Sequence, residues 1–197
     1  GTDTVPGTYE DLETADLVVL VGSNLAWCHP ILFQRLSAAK AARPDMRVVT
    51  VDPRRTATSE IADLHLGLEP GSDVALFAGL LHHLERAGKR DVAFVAEHTA
   101  GLDAALAATA AFAEIAEVAR VCGLAEADVA EFFAGFASTE KVVTVYSQGV
   151  NQSSAGTDKV NAILNCHLLT GRIGREGQGP FSVTGQPNAM GGREVGG

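Results

Sequence analysis

With 197 residues the chain is long enough for one domain with a sizeable hydrophobic core. A composition 46% apolar and 20% charged excludes wholesale disorder, and 15 Lys and Arg against 24 Asp and Glu (net charge −9) exclude a general nucleic-acid or anionic-membrane surface. An anionic ligand must therefore be met by a local cluster of positive charge.

The first residues, GTDTVPGTYEDLE, carry no initiator Met and read as a cut inside a longer protein. ADLVVLVGSN follows, an apolar β-branched run stopping at Gly-Ser-Asn, which predicts a buried strand and a turn. PILFQRLSAAKAARPD has helical spacing with Pro30 in the first turn. MRVVTVDPRR predicts a second strand, TATSEIA a short helix, and DLHLGLEPGSD a third strand entering a Pro-Gly turn. SDVALFAGLLHHLERAG is a helix with Ser72 or Asp73 as N-cap. Residues 91–137 are Ala-rich and predict three or four short helices, KVVTVYSQG a fourth strand, and TDKVNAILNCHLLTG a helix stopped by Gly171. The glycine-rich closing segment, 171–197, shows neither a strand-length apolar run nor a helical period. Strands alternating with helices predict an α/β fold, a Rossmann-like, mostly parallel sheet over residues 1–170 flanked by helices.

In such a sheet, ligands bind at the C-terminal strand ends near the switch in strand order. All four predicted strands end in ligand-competent residues: Gly22, Ser23 and Asn24; Asp52, Pro53, Arg54 and Arg55; Gly71, Ser72 and Asp73; and Gln148 with Gly149. Gly, Asn, Asp and Pro also end strands for turn reasons alone, so the weight lies in the four occurring together. The first turn lacks the G-x-G-x-x-G that brings a pyrophosphate onto backbone, which points to side-chain contacts and to the helix start near Pro30. Asp52 stands where a ribose-binding acid belongs, and Arg54 and Arg55 are either the sought positive cluster or solvated loop charges. Asp73 is either a helix cap or a carboxylate able to accept both N1–H and the exocyclic amine of guanine. His29 could orient a loop or touch phosphate, Trp27 could stack on a ligand or pack in the core, and Cys28 reads as packing. His65, His82, His83 and His98 have no metal spacing. Cys28, Cys122 and Cys166 form no CxxC pair, so this chain alone supplies neither a structural zinc site nor an iron–sulfur cluster, and its thiols suit a reducing compartment. No run approaches the roughly 18 apolar residues of a membrane span, and no membrane partner is expected.

Taken in order, ADLVVLVGSNLAWCHP, VVTVDPRRTATSEIADLHLGLEPGSD and YSQGVNQSSAGTDKVNAILNCHLLTGRIGREGQGPFSVTGQPNAMGGREVGG resemble the molybdopterin oxidoreductase family, and within it the assimilatory nitrate reductases. The resemblance implies an α/β domain cradling one guanosine end of bis-molybdopterin guanine dinucleotide with molybdenum. It places Gly22, Ser23, Asn24 and the residues to Cys28 and His29 along pyrophosphate and ribose. Asp52, Pro53, Arg54 and Arg55 fall at a second nucleotide loop, Gly71, Ser72 and Asp73 at the base, and Gln148 and Gln152 toward the pterin. It makes 171–197 a loop laid against the cofactor, with Gln186 and Arg193 as candidates to orient an anion. Nitrate is the implied substrate of the intact enzyme, whose other domains carry a 4Fe-4S cluster and the molybdenum ligand; the electron donor is unknown, this piece is expected to be inactive alone, and the implied location is cytoplasmic. Formate oxidation within the same family, an NAD-type module and a non-catalytic scaffold are the alternatives, and the missing G-x-G-x-x-G counts against NAD.

Overall fold

The computed structural model describes residues 5–184. Five parallel strands form one sheet: β1 (Leu17–Val21), β2 (Arg47–Val51), β3 (Leu64–Leu66), β4 (Val142–Tyr146) and β5 (Gly179–Ser182), in the order β3-β2-β1-β4-β5. Val21 is in register with Val51 on one side and Tyr146 on the other. The central strand is buried along its whole length, as an apolar run covered on both faces must be.

Its side chains alternate between two cores. Leu17, Val19 and Val21 face the helices α4 (Asp73–Arg86), α7 (Ile115–Cys122), α8 (Glu126–Ser138) and α10 (Gly156–Leu169), where Phe77, Phe132, Phe133 and Phe136 fill the space. Val18 and Leu20 face α1 (Tyr9–Thr14) and α3 (Pro30–Ala42) through Leu12, Leu32 and Leu36. The 91–137 stretch forms α5 (Val92–His98), α6 (Leu102–Ala108), α7 and α8, with a 3₁₀ turn at Ala110–Phe112. Asp91 caps α5 by accepting from Phe94 N at 3.0 Å, and Gly123 ends α7 in the left-handed region. Three short helices are additions to the sequence reading: α1, whose Thr8 and Asp11 form a capping box, α2 (Leu25–Cys28) and α9 (Gln148–Asn151). No helix among the described residues is long and apolar enough to cross a membrane.

The closing segment differs from its sequence reading as far as Thr184. Residues 179–182 are β5, paired with β4 from Val143↔Gly179 to Tyr146↔Ser182. Phe181 and Val183 are buried in the α1/α3 core, and Gly177 N donates to Asp11 Oδ1 at 2.7 Å. The Arg172 guanidinium is buried over the Phe136 ring, 4.8 Å from its centre, and donates to Phe136 O (3.1 Å) and Thr139 O (2.6 Å); burial pulls its pKa down to about 10. The domain's own sheet and core therefore hold this stretch. Gln186 and Arg193, the anion-orienting candidates, lie outside the described residues.

Candidate functional site at the strand ends

Because all five strands run the same way, the turns after β1, β2 and β4 and the start of α4 open on one edge of the sheet. Chain order reverses between β1 and β4: from β1 the chain works outward to β3, then crosses to β4 on the other side. The crevice of a doubly wound sheet lies at such a switch point. Here the two flanking turns touch backbone to backbone. Gly149 N donates to Gly22 O at 3.1 Å, and a Cβ on Gly149 would stand 2.7 Å from Gly22 Cα. Gly22 itself has φ +53°, so both the conformation and the approach require glycine.

Following β1, Ser23 Oγ and His29 Nδ1 are buried with no hydrogen-bond partner among the described residues. Orphaned buried polar atoms are rare, and two at one strand end are what a ligand's oxygens would complete. Burial lowers the His29 pKa, opposed by a backbone hydrogen bond with Thr184. Asn24 is held by a residue from the next turn: Thr58, 1% exposed, donates from Oγ1 to Asn24 Oδ1 at 3.0 Å and accepts from Ala26 N at 3.1 Å. This engages the Asn24 carbonyl and leaves its amide group without a partner among the described residues.

In the second turn, Asp52 Oδ1 accepts from Arg54 N at 2.9 Å, closing a local loop. Arg54 and Arg55 are exposed, as is Pro53. Arg35, Arg43, Arg47, Arg86, Arg90, Arg120 and Arg175 all form ion pairs, and Arg172 is bound to carbonyls. Among the described residues, Arg54 and Arg55 are the arginines left unpaired, and they stand at this edge. His65, whose Nδ1 is 2.9 Å from Thr50 Oγ1, has its pKa lowered by burial and then by Arg55, against a smaller opposing effect of Asp52.

At the third position Gly71 has φ +93° with open space where a Cβ would point, and Ser72 is the N-cap of α4, its Oγ donating to Glu69 O at 2.7 Å. Asp73, the first residue of α4, forms a buried ion pair with Lys159 of α10, Nζ to Oδ2 2.7 Å. Lys159 and Thr58 escaped the sequence reading. The signal for Lys159 was its place on the buried face of α10, four and seven residues before Ile163 and Cys166. At the fourth position Gln148 is half-buried at the start of α9 and engaged, whereas Gln152 is exposed at its end. Trp27 is 77% exposed and Cys28 is also exposed, which overturns the core-packing expectation for both. The strand ends thus bring together a small-residue turn contact, orphaned polar atoms, free guanidinium groups and buried acid. That set can hold an anionic nucleotide and has no nucleophile–base pair of its own.

The family model described as molybdopterin oxidoreductase matches residues 4–197. The chain belongs to the molybdopterin oxidoreductase family. It is 54% identical to a nitrate reductase of Klebsiella oxytoca and 51% identical to one of Shewanella frigidimarina, in each case over 100% of this chain. It spans only 22% and 21% of those relatives' lengths. Acetylene hydratase from Pelobacter acetylenicus matches in fold, with a TM-score of 0.69 at 20% identity over 83% of this chain and 24% of that one.

Proposed function

We propose that this chain is the part of a molybdenum-dependent nitrate reductase that grips one guanosine diphosphate arm of bis-molybdopterin guanine dinucleotide. The observation that carries it is that Ser23 Oγ and His29 Nδ1, buried after β1 with no partner among the described residues, share one strand-end edge of the parallel sheet with Arg54 and Arg55 after the neighbouring β2. Ser23 and the Asn24 amide donate to pyrophosphate and ribose oxygens, the bare Nδ1 of His29 accepts from a ribose hydroxyl, and Arg54 and Arg55 offset the phosphate charge. The free oxygen of Asp52 accepts from a ribose hydroxyl. Asp73 accepts from the guanine N1–H and amine, while Gln148 and Gln152 border the pterin side. When bound, the molybdenum–dithiolene group supplies the two-electron oxygen-transfer chemistry of nitrate reduction to nitrite. The residues of this chain position that group and keep its charged tail out of water.

Nitrate as substrate rests on the nitrate reductase relatives; the 4Fe-4S cluster and molybdenum ligand are assigned to the rest of the parent enzyme, so the chain alone is inactive. The free thiols of Cys28, Cys122 and Cys166 and the assimilatory resemblance support a cytoplasmic setting. The test is to titrate the chain with GDP, GMP and NAD and follow its melting temperature. A guanine-selective rise is expected; an equal or NAD-selective response refutes the reading.

A further inference from the structure

Lys159 is a charged residue on the core-facing side of α10. It is 5% exposed, and its Nζ lies 2.7 Å from Asp73 Oδ2, the two side chains being 6% and 9% exposed. A buried pair of this kind is often no more stable than apolar residues of the same volume, so fold stability alone does not account for it. Its place does: α10 follows β4 and α4 follows β3, and their packing delivers an ammonium and a carboxylate side by side at the C-terminal edge of the sheet. An ammonium has three donors, and among the described residues the one side-chain partner of Nζ is Asp73.

We propose that Lys159 is a second reader of the base, donating to guanine O6 while Asp73 accepts from N1–H and the 2-amino group; this rests on the guanine-reading role of Asp73 given above. O6 is next to N1 on the same edge of the purine. An ammonium already against the carboxylate oxygen that takes N1–H therefore stands within hydrogen-bond reach of O6. Lys–O6 is a pairing proteins use to recognise guanine. Adenine is refused twice: its N1 is an acceptor facing the carboxylate, and its 6-amine is a donor facing the ammonium, so neither buried charge finds a partner on the base.

The experiment uses isothermal titration of the chain and its variants with GDP, IDP and ADP. IDP keeps N1–H and O6 but lacks the 2-amino group. The wild type should prefer GDP to IDP, and both to ADP. Lys159→Met should weaken GDP and IDP by the same factor, roughly tenfold, and leave their ratio unchanged. Asp73→Asn should instead collapse the GDP:IDP ratio. The proposal is overturned if Lys159→Met leaves GDP binding intact. It is overturned equally if that variant collapses the GDP:IDP ratio as Asp73→Asn does, because Lys159 would then act only by holding Asp73. A wild type that cannot tell GDP from ADP removes the guanine reading itself, a separate failure. Should Lys159→Met not fold, the double variant Asp73→Asn/Lys159→Met, which buries no charge, is compared with Asp73→Asn. A further equal loss for GDP and IDP supports the role of Lys159, and no further loss refutes it.

Discussion

Gly149→Ala tests whether the backbone contact at the switch point is a real constraint. Gly149 lies in α9, where alanine normally gains about 0.5–1 kcal/mol over glycine. Here the added Cβ would stand 2.7 Å from Gly22 Cα and 2.9 Å from Gly22 O, both backbone atoms that cannot rotate away. Relief requires the two turns to part, at an overpacking cost of about 1–3 kcal/mol, and weakens the 3.1 Å bond from Gly149 N to Gly22 O, worth about 1 kcal/mol. The penalties exceed the propensity gain, leaving a net loss of about 1–3 kcal/mol. In a domain of this size that is a fall in melting temperature of about 2–12 °C. Gly135→Ala in α8 is the matched control: the nearest heavy atom to its Cβ is Arg47 Nη1 at 3.9 Å, so that variant should be slightly stabilised. Differential scanning fluorimetry of both variants decides. If Gly149→Ala rises with Gly135→Ala, the turns are free to separate and the close cradle is wrong.

Three further outcomes are expected. His167 is fully buried against Thr144, Nε2 to Oγ1 2.8 Å, and burial, aided by Arg172, lowers its pKa from 6.5 to about 3. Below pH 6.5 the unfolded chain therefore binds a proton that the folded chain refuses, so stability falls as pH falls, by up to about 1.4 kcal/mol per pH unit from this residue. Urea unfolding at pH 7, 6 and 5 should show a shallower pH dependence for His167→Gln, and an unchanged slope would refute the assignment. Arg54→Ala should weaken GDP binding and reduce its salt dependence, as loss of a phosphate contact does; a titration series insensitive to ionic strength in both proteins would return Arg54 to an ordinary surface charge. Asp73→Asn leaves the Lys159 ammonium buried and uncompensated, which should cost about 3–5 kcal/mol, and adding Lys159→Met should recover most of it; a double variant no more stable than Asp73→Asn would contradict the buried pair.

What could be read from the sequence was what local pattern encodes. β1, β2 and β4 are continuous β-branched runs, and parallel pairing alone then brings the turns after them to one edge, which is why Ser23, Asn24, Asp52 and Gln148 could be nominated together. β5 could not be read, because GPFS has neither length nor alternation. It exists because β4 offers an unpaired edge, and Pro180, with no N–H to give, is tolerable only on an edge strand. Core packing was the wrong one of the two uses open to Trp27, since α2 is a single turn, too short to show which side of it faces the core. The deepest gap is between residues far apart in the chain. Gly22 and Gly149 each look like turn glycines, and Asp73 looks like a helix cap; only the crossover that sets β4 beside β1 makes one pair a backbone contact and gives the other residue a lysine. Those features depend on two segments at once, so Gly149→Ala and Asp73→Asn should each disturb both of the segments they join.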